Sequence, residues 1–305
     1  ELIRRGVSEY VVMPLTMFDV VRAIGELYHG PAAAPLGRTV AFIGAKGGCG
    51  SSTVAHNVAW SIGKTFGTDV MITDLDLAWG TAALDFNQEP PQGVVEALNS
   101  PERLDETFLD RLLTKCSDQL SILAAPAMLD RAYDHEEQDF DTIIEVARST
   151  VPIVVLDLPH QWTSWTRRQL READDVVIVA APDLANLRNA KNLVDTLKTG
   201  RPNDAPPHLV FNMVGVPKRP EIKPEEFAKA LELPIAAIIP FDAAVFGNAA
   251  NKGLMIGEMD AKHASAEVFR TLATLTTGRR EVRKGRKSAL DLGPLLAKLR
   301  MRKAS

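Results

Sequence analysis

The sequence predicts an α/β domain with a mostly parallel, twisted β-sheet flanked by helices, because short apolar runs alternate with longer stretches of helical period. The predicted strands are 39–44, 69–74, 120–125, 153–157, 175–181, 208–214 and 235–240. The predicted helices include 52–65, 136–149, 184–199 and 224–231. Most of the strand runs are apolar without alternation, which is typical of strands buried on both faces of a parallel sheet. We therefore expect one α/β domain over 38–277.

The overall composition is that of an ordinary globular protein, with 305 residues, 46% hydrophobic and 24% charged. No apolar run approaches the ~18 residues of a membrane-spanning helix. The first ten residues contain no apolar segment like that of a signal peptide, so we expect a cytoplasmic location. Two distant cysteines, Cys49 and Cys116, are too few for a disulfide framework or a four-cysteine metal site, and free thiols are expected.

Two segments flank the predicted domain. Residues 1–30 precede it, joined by a linker at 31–37 that is rich in proline, glycine and alanine. The basic tail, 278–305, carries ten Lys or Arg and two acidic residues, while the whole chain has a net charge of −4. Within it, "PLLAKLRMRK" (294–303) has the pattern of a short basic amphipathic helix, as at a membrane surface. A solvated tail or a docking strip for a protein partner is the alternative.

The segment "AFIGAKGGCGSSTVAHN" (41–57) predicts a phosphate-binding loop between the first strand and the first helix. Glycines allow backbone N–H groups to approach a phosphate, and a helix start adds the positive end of its dipole. The usual pattern, G-x-x-x-x-G-K-S/T, has a lysine where this chain has Ser51 and a glycine where it has Ala45, whereas Lys46 comes early. The expected nucleotide contacts are Gly47, Gly48, Cys49, Gly50, Ser51, Ser52 and Thr53. A simple glycine turn is the alternative.

Three carboxylates lie at or just after the ends of predicted strands. Asp74 and Asp76 follow the second strand, and Asp157 ends the strand "IVVLD". The carboxyl ends of parallel strands meet at the edge of the sheet where ligands bind. A single aspartate at a strand end is more typical of a helix cap, but three of them beside a glycine loop indicate a ligand site. Ser52 is placed to give a hydroxyl to Mg²⁺.

The motif "AKGGCGSST" resembles the deviant phosphate loop K-G-G-x-G-K-S/T-S/T of the MinD/ParA superfamily of ATPases. The resemblance covers about 38–277 and implies a P-loop NTPase-like fold that binds ATP and Mg²⁺. It implies a homodimer across the nucleotide, in which Lys46 reaches the nucleotide of the partner subunit. It also implies that Asp76 orients the attacking water and that Ser52, Asp74 and Asp157 hold Mg²⁺.

Two further segments resemble the parts of superfamily members that contact the nucleotide base. "FNMV" places Asn212 where the superfamily reads adenine, and "IPFDAAVFGNAANKG" (239–253) resembles the segment that closes over the base. The resemblance therefore implies that Asn212, Pro240 and Asp242 contact the nucleotide. The residue-based alternative for Asn212 is a turn residue at the end of a strand.

The phrases "ADDVVIVAAPDLANLRNAKNLVDTL" and "IPFDAAVFGNAANKGLMI" resemble the CpaE/TadZ group of ATPase-like proteins of type IVb (Flp/Tad) pilus assembly. Residues 1–30 resemble the C-terminal part of an atypical receiver-like domain, with Met13 where receivers usually have lysine. The resemblance implies a localisation and assembly factor that binds the pilus secretion machine, including its secretion ATPase, at a cell pole or beside the inner membrane. Because Ser51 removes a cation from the phosphate site, we expect slow ATP hydrolysis or none.

Three other classes of protein would have some of the same sequence patterns. A ParA-like DNA-partitioning ATPase needs a basic surface, but the globular part is acidic, so DNA is not an expected partner. A scaffold without nucleotide is favoured by Ala45 and Ser51 and opposed by Lys46 and the aspartates. An iron–sulfur reductase needs two bridging cysteines per subunit, whereas Cys49 belongs to the phosphate loop.

Overall fold

The computed structural model describes residues 36–126, 129 and 133–279. In these residues an eight-stranded sheet has the order β3-β4-β2-β5-β1-β6-β7-β8. The strands are β1 (Arg38–Gly44), β2 (Val70–Asp74), β3 (Thr114–Lys115), β4 (Leu120–Leu123), β5 (Ile153–Asp157), β6 (Asp175–Ala180), β7 (His208–Val214) and β8 (Ile235–Pro240). Only the β3–β4 pairing is antiparallel. The predicted fold class is confirmed.

Helices cover both faces of this sheet. They are α1 (Ser51–Phe66), α2 (Ala82–Asp85), α3 (Val94–Asn99), α4 (Glu106–Leu112), α5 (Asp141–Thr150), α6 (Ser164–Glu172), α7 (Leu184–Gly200), α8 (Pro224–Leu231), α9 (Ala243–Lys252), α10 (Ile256–Met259) and α11 (Ala264–Thr277). Within the described part of the chain, none of them is long and apolar enough to span a membrane.

Two predicted elements need correction. The helix predicted at 136–149 begins only at Asp141, because the N–H of Glu136 donates to the Asp139 carboxylate in a local turn that competes with a helix. The strand predicted at 120–125 ends at Leu123. The receiver-like segment 1–30, most of the linker and the tail from residue 280 lie outside the described residues.

The sheet separates two layers of buried apolar side chains. Along β1, Val40 and Phe42 pack on the side of α1 and α11, whereas Ala41 and Ile43 pack on the opposite side with α5 and α7. Successive side chains of a strand point to opposite faces of the sheet, which explains this division. Because both layers are apolar, the strand appears in the sequence as one continuous apolar run. Because helices cover both faces, polar loops that can bind a ligand lie at the carboxyl edge of the sheet.

Candidate nucleotide site

The loop between β1 and α1 presents backbone N–H groups at the carboxyl edge of the sheet. Lys46, Gly47 and Gly48 are exposed, while the buried Cys49 thiol donates to the carbonyl of Val179 at 3.2 Å. Only the backbone of Cys49 is therefore available to a ligand. The first-turn N–H groups of a helix have no acceptor within the helix, and at the start of α1 no side chain caps them either. Together with the helix dipole, they form a cradle for an anion.

Asn212 braces this loop from β7. Its side-chain Nδ2 donates to the carbonyl of Cys49 at 2.9 Å, and the residue is only 4% exposed. Gly50 lies against it in the left-handed region, with φ of 84°, and a Cβ on Gly50 would stand 2.4 Å from that Nδ2. The structure thus places Asn212 at the boundary between the loop and the neighbouring cavity, where its amide nitrogen holds the loop.

The contact between Asn212 and the loop can be tested by comparing alanine substitutions at two glycines. Gly50→Ala is expected to weaken binding of a fluorescent ATP analogue roughly tenfold or more, because the new Cβ displaces Asn212 and the loop carbonyl that it holds. Gly48→Ala is the matched control: its φ is 80°, but no atom lies within 4 Å of its Cβ position. Both variants carry the cost of a left-handed alanine, about 1–2 kcal/mol of folding free energy. An equal loss of affinity in the two variants would contradict a role for Asn212 in holding the loop.

Lys46 stands on the exposed side of the loop while the base of the loop is held in place. Nδ2 of Asn189 donates to the carbonyl of Ala45, and a ring N–H of His160 donates to the carbonyl of Gly44, both at 2.9 Å. Lys46 forms no ion pair with any residue that the structure describes. Its charge acts on Asp183 without forming an ion pair, so the ammonium is available to an anion that comes from outside the chain.

The carboxyl ends of β2 and β5 bring two buried aspartates together. Asp74 and Asp157 are register partners in neighbouring parallel strands and are 1% and 2% exposed. Asp74 accepts the N–H groups of Asp76 and Ala82 at 3.2 and 3.1 Å. Burial, together with the charge of Asp157, raises the pKa of Asp74 to about 7. The expected metal ligands Asp74 and Asp157 are thus adjacent.

Asp76 lies closer to the surface than these two. It is partly buried, and its carboxylate accepts the N–H of Trp79 at 3.1 Å. Burial raises the pKa of Asp76 above its ordinary value. The turn that it caps carries the exposed Trp79, so Asp76 lies at the mouth of the site. Its backbone N–H donates to Asp74, whereas its carboxylate forms no hydrogen bond with Asp74 or Asp157 among the described residues.

His56, which the sequence analysis did not select, lies among these carboxylates. The side chain is fully buried in α1, with Nδ1 2.7 Å from Oδ2 of Asp85 and Nε2 3.2 Å from Oδ2 of Asp157. The second contact is an ion pair by distance rather than an aligned hydrogen bond. Burial alone would lower the pKa of His56, but Asp157 and Asp85 raise it to about 10. The available signal was a histidine among the small apolar residues Val54, Ala55, Val58 and Ala59 of the helix that follows the glycine loop.

The donor atoms at this edge fit a magnesium ion bound with a nucleotide. Oδ1 of Asp157 and Oγ of Ser51 are buried and have no hydrogen-bond partner among the described residues. Carboxylate and hydroxyl oxygens are the ligands that Mg²⁺ prefers, usually one or two carboxylates with phosphates and water. Over 36–126, 129 and 133–279, no three His, Cys, Asp or Glu side chains form a metal cage. A metal here would thus depend on nucleotide oxygens.

A cavity of about 260 Å³ adjoins the loop between α1, β7 and α9. Asn212, Pro240 and Asp242 line it together, so the structure brings the three expected base-contacting residues to one place. Asp242 also caps α9, accepting the N–H of Val245 at 2.9 Å. The remaining lining is mostly apolar and includes Phe246, as suits a flat heterocycle.

Comparison with known proteins gives consistent results. The family profile AAA_31, described as "AAA domain", matches residues 37–205, more than half of the chain. The septum site-determining protein MinD of Synechocystis sp. is 23% identical over 226 residues, covering 72% of this chain and 81% of MinD.

Two solved structures show the same fold. A ParA family ATPase from Chlorobium tepidum TLS has a TM-score of 0.70 at 23% identity, over 77% of this chain and 98% of that one. MinD from Pyrococcus horikoshii OT3, complexed with Mg-ADP, has a TM-score of 0.68 at 18% identity, over 79% and 96%. The chain therefore belongs to the AAA_31 family of AAA domains, and it is similar in sequence to MinD and in fold to a ParA family ATPase and to MinD.

Proposed function

We propose that this protein binds Mg-ATP, dimerises across the nucleotide and acts as a localisation and assembly factor for a type IVb (Flp/Tad) pilus secretion machine. The observation that carries the proposal is the exposed Lys46 beside an uncapped phosphate cradle whose own lysine position is occupied by Ser51. A lysine that forms no ion pair with the described residues is suited to a phosphate that another subunit holds.

The nucleotide would lie along the loop, with its phosphates on the N–H groups at the start of α1 and its base in the cavity beside Asn212. Ser52, Asp74 and Asp157 would hold Mg²⁺, which would neutralise phosphate charge when bound. The solved MinD of Pyrococcus horikoshii OT3, which has the same fold, is a complex with Mg-ADP. Pro240 and Asp242 would contact the base from β8 and the start of α9.

The dimer face would be the carboxyl edge of the sheet around Lys46. Three large apolar side chains at this edge are exposed: Trp79 in the loop after β2, Trp162 in the loop after β5 and Leu184 at the start of α7. Exposed apolar groups that surround a polar site are typical of interaction surfaces. In the proposed dimer, each Lys46 would reach the phosphates of the partner subunit, where charge-assisted contacts in a dry interface are strong.

ATP turnover would be slow or absent. Phosphoryl transfer depends on positioning and on cations that stabilise the developing charge, and Ser51 supplies none. Asp76 would orient the attacking water. Nucleotide binding, rather than rapid hydrolysis, would then control how long the dimer stays together.

The pilus assignment rests on the resemblance of "ADDVVIVAAPDLANLRNAKNLVDTL" and "IPFDAAVFGNAANKGLMI" to CpaE/TadZ proteins. Its partners would be the proteins of the secretion machine, including the secretion ATPase. The proposed layout places a receiver-like part over 1–30, a linker over 31–37, the ATP-binding domain over 38–277 and a basic tail over 278–305 that weakly contacts the inner membrane.

Localisation in cells tests this proposal. A fluorescent fusion of the full chain is expected to form a focus at one pole and to restore pili to cells that lack the native copy. The Lys46→Ala fusion is expected to be diffuse and to leave the cells without pili. Normal piliation in cells without the protein would contradict the pilus role, whereas salt-dependent retention of the purified protein on DNA would favour a partitioning ATPase.

A further inference from the structure

A groove lies between α6 and α7, on the face of the sheet opposite to the base cavity. It consists of two adjoining cavities, of about 310 and 510 Å³, which share Trp162 and Thr196 as lining residues. One face of α7 forms its wall, because Asn189, Leu193, Thr196 and Gly200 follow one another at helical spacing. The groove therefore runs from the phosphate loop along α7, away from the proposed dimer face.

The inner cavity, next to the phosphate loop, is neutral. Among the described residues that line it there is no Lys, Arg, Asp or Glu. Ile43 and Leu193 give it apolar walls, and Gln161 and Asn192 add side-chain amides. Trp162, which is 54% exposed, lines it as well. Such a lining suits an apolar side chain with peptide groups on either side of it.

Three arginines line the outer cavity: Arg167 and Arg171 from α6, and Arg201 after α7. The buried guanidinium of Arg201 belongs to the fold, since it donates to the carbonyls of Leu170 and Asp174 at 3.0 and 3.2 Å. Arg167 and Arg171 are exposed, and their spacing of four residues places them on the same face of α6. Two exposed guanidinium groups are therefore available along one side of the groove.

The charge of these two arginines is not balanced within the groove. Among the described residues no carboxylate forms an ion pair with Arg167, and Arg171 reaches only its neighbour Glu172, at 3.7 Å. Of the described residues that line the outer cavity, only Asp195 is acidic, and it pairs with Lys191 at 2.7 Å. The outer cavity is therefore positive, on a chain whose net charge is −4, and is complementary to an anionic ligand.

We propose that this groove docks an acidic segment of a partner protein, with an apolar side chain in the inner cavity beside Trp162 and carboxylates on Arg167 and Arg171. Tryptophan and arginine are enriched at the energetic centres of protein interfaces, and arginine clusters bind acidic motifs through paired N–H groups. The basic tail of the chain itself does not fit, because its ten Lys or Arg would be repelled. The inference gives the chemistry of one partner of the proposed function.

The inner cavity also borders the side chains that hold the phosphate loop. His160 and Asn189 line it, and they donate to the carbonyls of Gly44 and Ala45, each at 2.9 Å. A side chain in the cavity would contact both groups and so stabilise the base of the loop. Because coupling between two sites is reciprocal, nucleotide and partner would each strengthen the binding of the other. This step rests on the proposed Mg-ATP site.

A library of random peptides displayed on phage tests the groove, with the nucleotide-free full chain as the target. The enriched peptides are expected to combine acidic residues with an aromatic or aliphatic one. Labelled copies of them are expected to bind Arg167→Glu/Arg171→Glu roughly tenfold or more weakly than the wild type, because the reversed charges repel carboxylates. Trp162→Ala is expected to weaken binding by about tenfold, as is typical for a central aromatic contact.

Arg103→Glu/Arg111→Glu is the matched control. Both arginines are exposed, and neither lines the groove. The double substitution changes the net charge by the same amount and is expected to leave peptide binding as in the wild type. Equal losses in the two double variants would reduce the effect to net charge and overturn the docking groove. Enriched peptides without acidic residues would overturn it as well.

Other occupants of the groove would give different results. Arg167→Glu/Arg171→Glu is expected to keep the ATP-dependent mass of the wild type, because α6 lies outside the loops of the proposed dimer face. A concentration-dependent mass that this variant loses would assign the groove to a second copy of the chain. Retention of the wild type, but not the variant, on phosphatidylserine vesicles or on DNA would assign the arginines to another anion. Either result would overturn the proposal.

The link to nucleotide is tested by measuring the affinity of an enriched peptide with and without Mg-ATP. Mg-ATP is expected to tighten peptide binding by roughly fivefold or more. An unchanged affinity in a protein that binds ATP would overturn the link between groove and loop. Conversely, a protein that binds the peptides through Arg167 and Arg171 but binds no ATP would refute the Mg-ATP proposal alone.

Discussion

Replacing Ser51 with lysine is expected to raise ATP turnover by roughly 10- to 100-fold. The Oγ of Ser51 is buried at the start of α1 without a hydrogen-bond partner among the described residues, at the place where the usual motif has its lysine. A lysine there would put a cation on the phosphates within the same subunit. Single charge-stabilising groups of this kind are worth on the order of 100-fold in rate. The measurement is steady-state phosphate release at saturating Mg-ATP.

Ser51→Met is the control for this experiment, because methionine has similar length but carries no charge. It is expected to turn over ATP as slowly as the wild type. If lysine raises the rate no more than methionine does, then the missing cation is not what limits hydrolysis. A wild type that already hydrolyses ATP rapidly would contradict the same argument.

Lys46→Ala is expected to abolish the ATP-dependent dimer while the monomer still binds nucleotide within a few-fold of the wild type. The phosphate cradle consists of backbone N–H groups that the substitution does not touch, whereas the exposed ammonium forms no ion pair with the described residues. Loss of one member of a buried charge pair typically costs 2–5 kcal/mol, and a symmetric dimer would lose two such contacts. Sedimentation velocity with Mg-ATP gives the dimer affinity.

Lys64→Ala serves as the control, since Lys64 is an exposed lysine in the last turn of α1, at the opposite end of the helix from the phosphate loop. It is expected to dimerise like the wild type. Equal losses in both variants would point to a general effect of surface charge. An intact ATP-dependent dimer in Lys46→Ala would show that this lysine does not act across the interface.

The sheet was predictable because parallel strands covered on both faces leave a strong apolar signal. Strands such as β1 and β5 are buried at nearly every position, so their runs stand out in the sequence. The two-residue edge strand β3 (Thr114–Lys115) leaves no such signal, since one of its residues is exposed and its pairing comes from its neighbour.

The parts of the candidate site that follow from a local motif could be predicted from the sequence. Contacts between side chains that are distant in the sequence could not. The glycine loop and the strand-end aspartates are local patterns. The contact between His56 and Asp85 spans 29 residues, and the brace from Asn212 to Cys49 spans 163. Neither contact has a sequence signal of its own, because each depends on how α1 packs against the sheet.

The most direct test of the account is the mass of the wild-type protein by light scattering in Mg-ATP, in Mg-ADP and without nucleotide. If Lys46 joins two subunits through ATP, the mass is expected to be twice that of the monomer in Mg-ATP and that of the monomer in the other two conditions. One unchanged mass in all three conditions would contradict a nucleotide-gated dimer and would favour a constitutive scaffold on an ATPase fold.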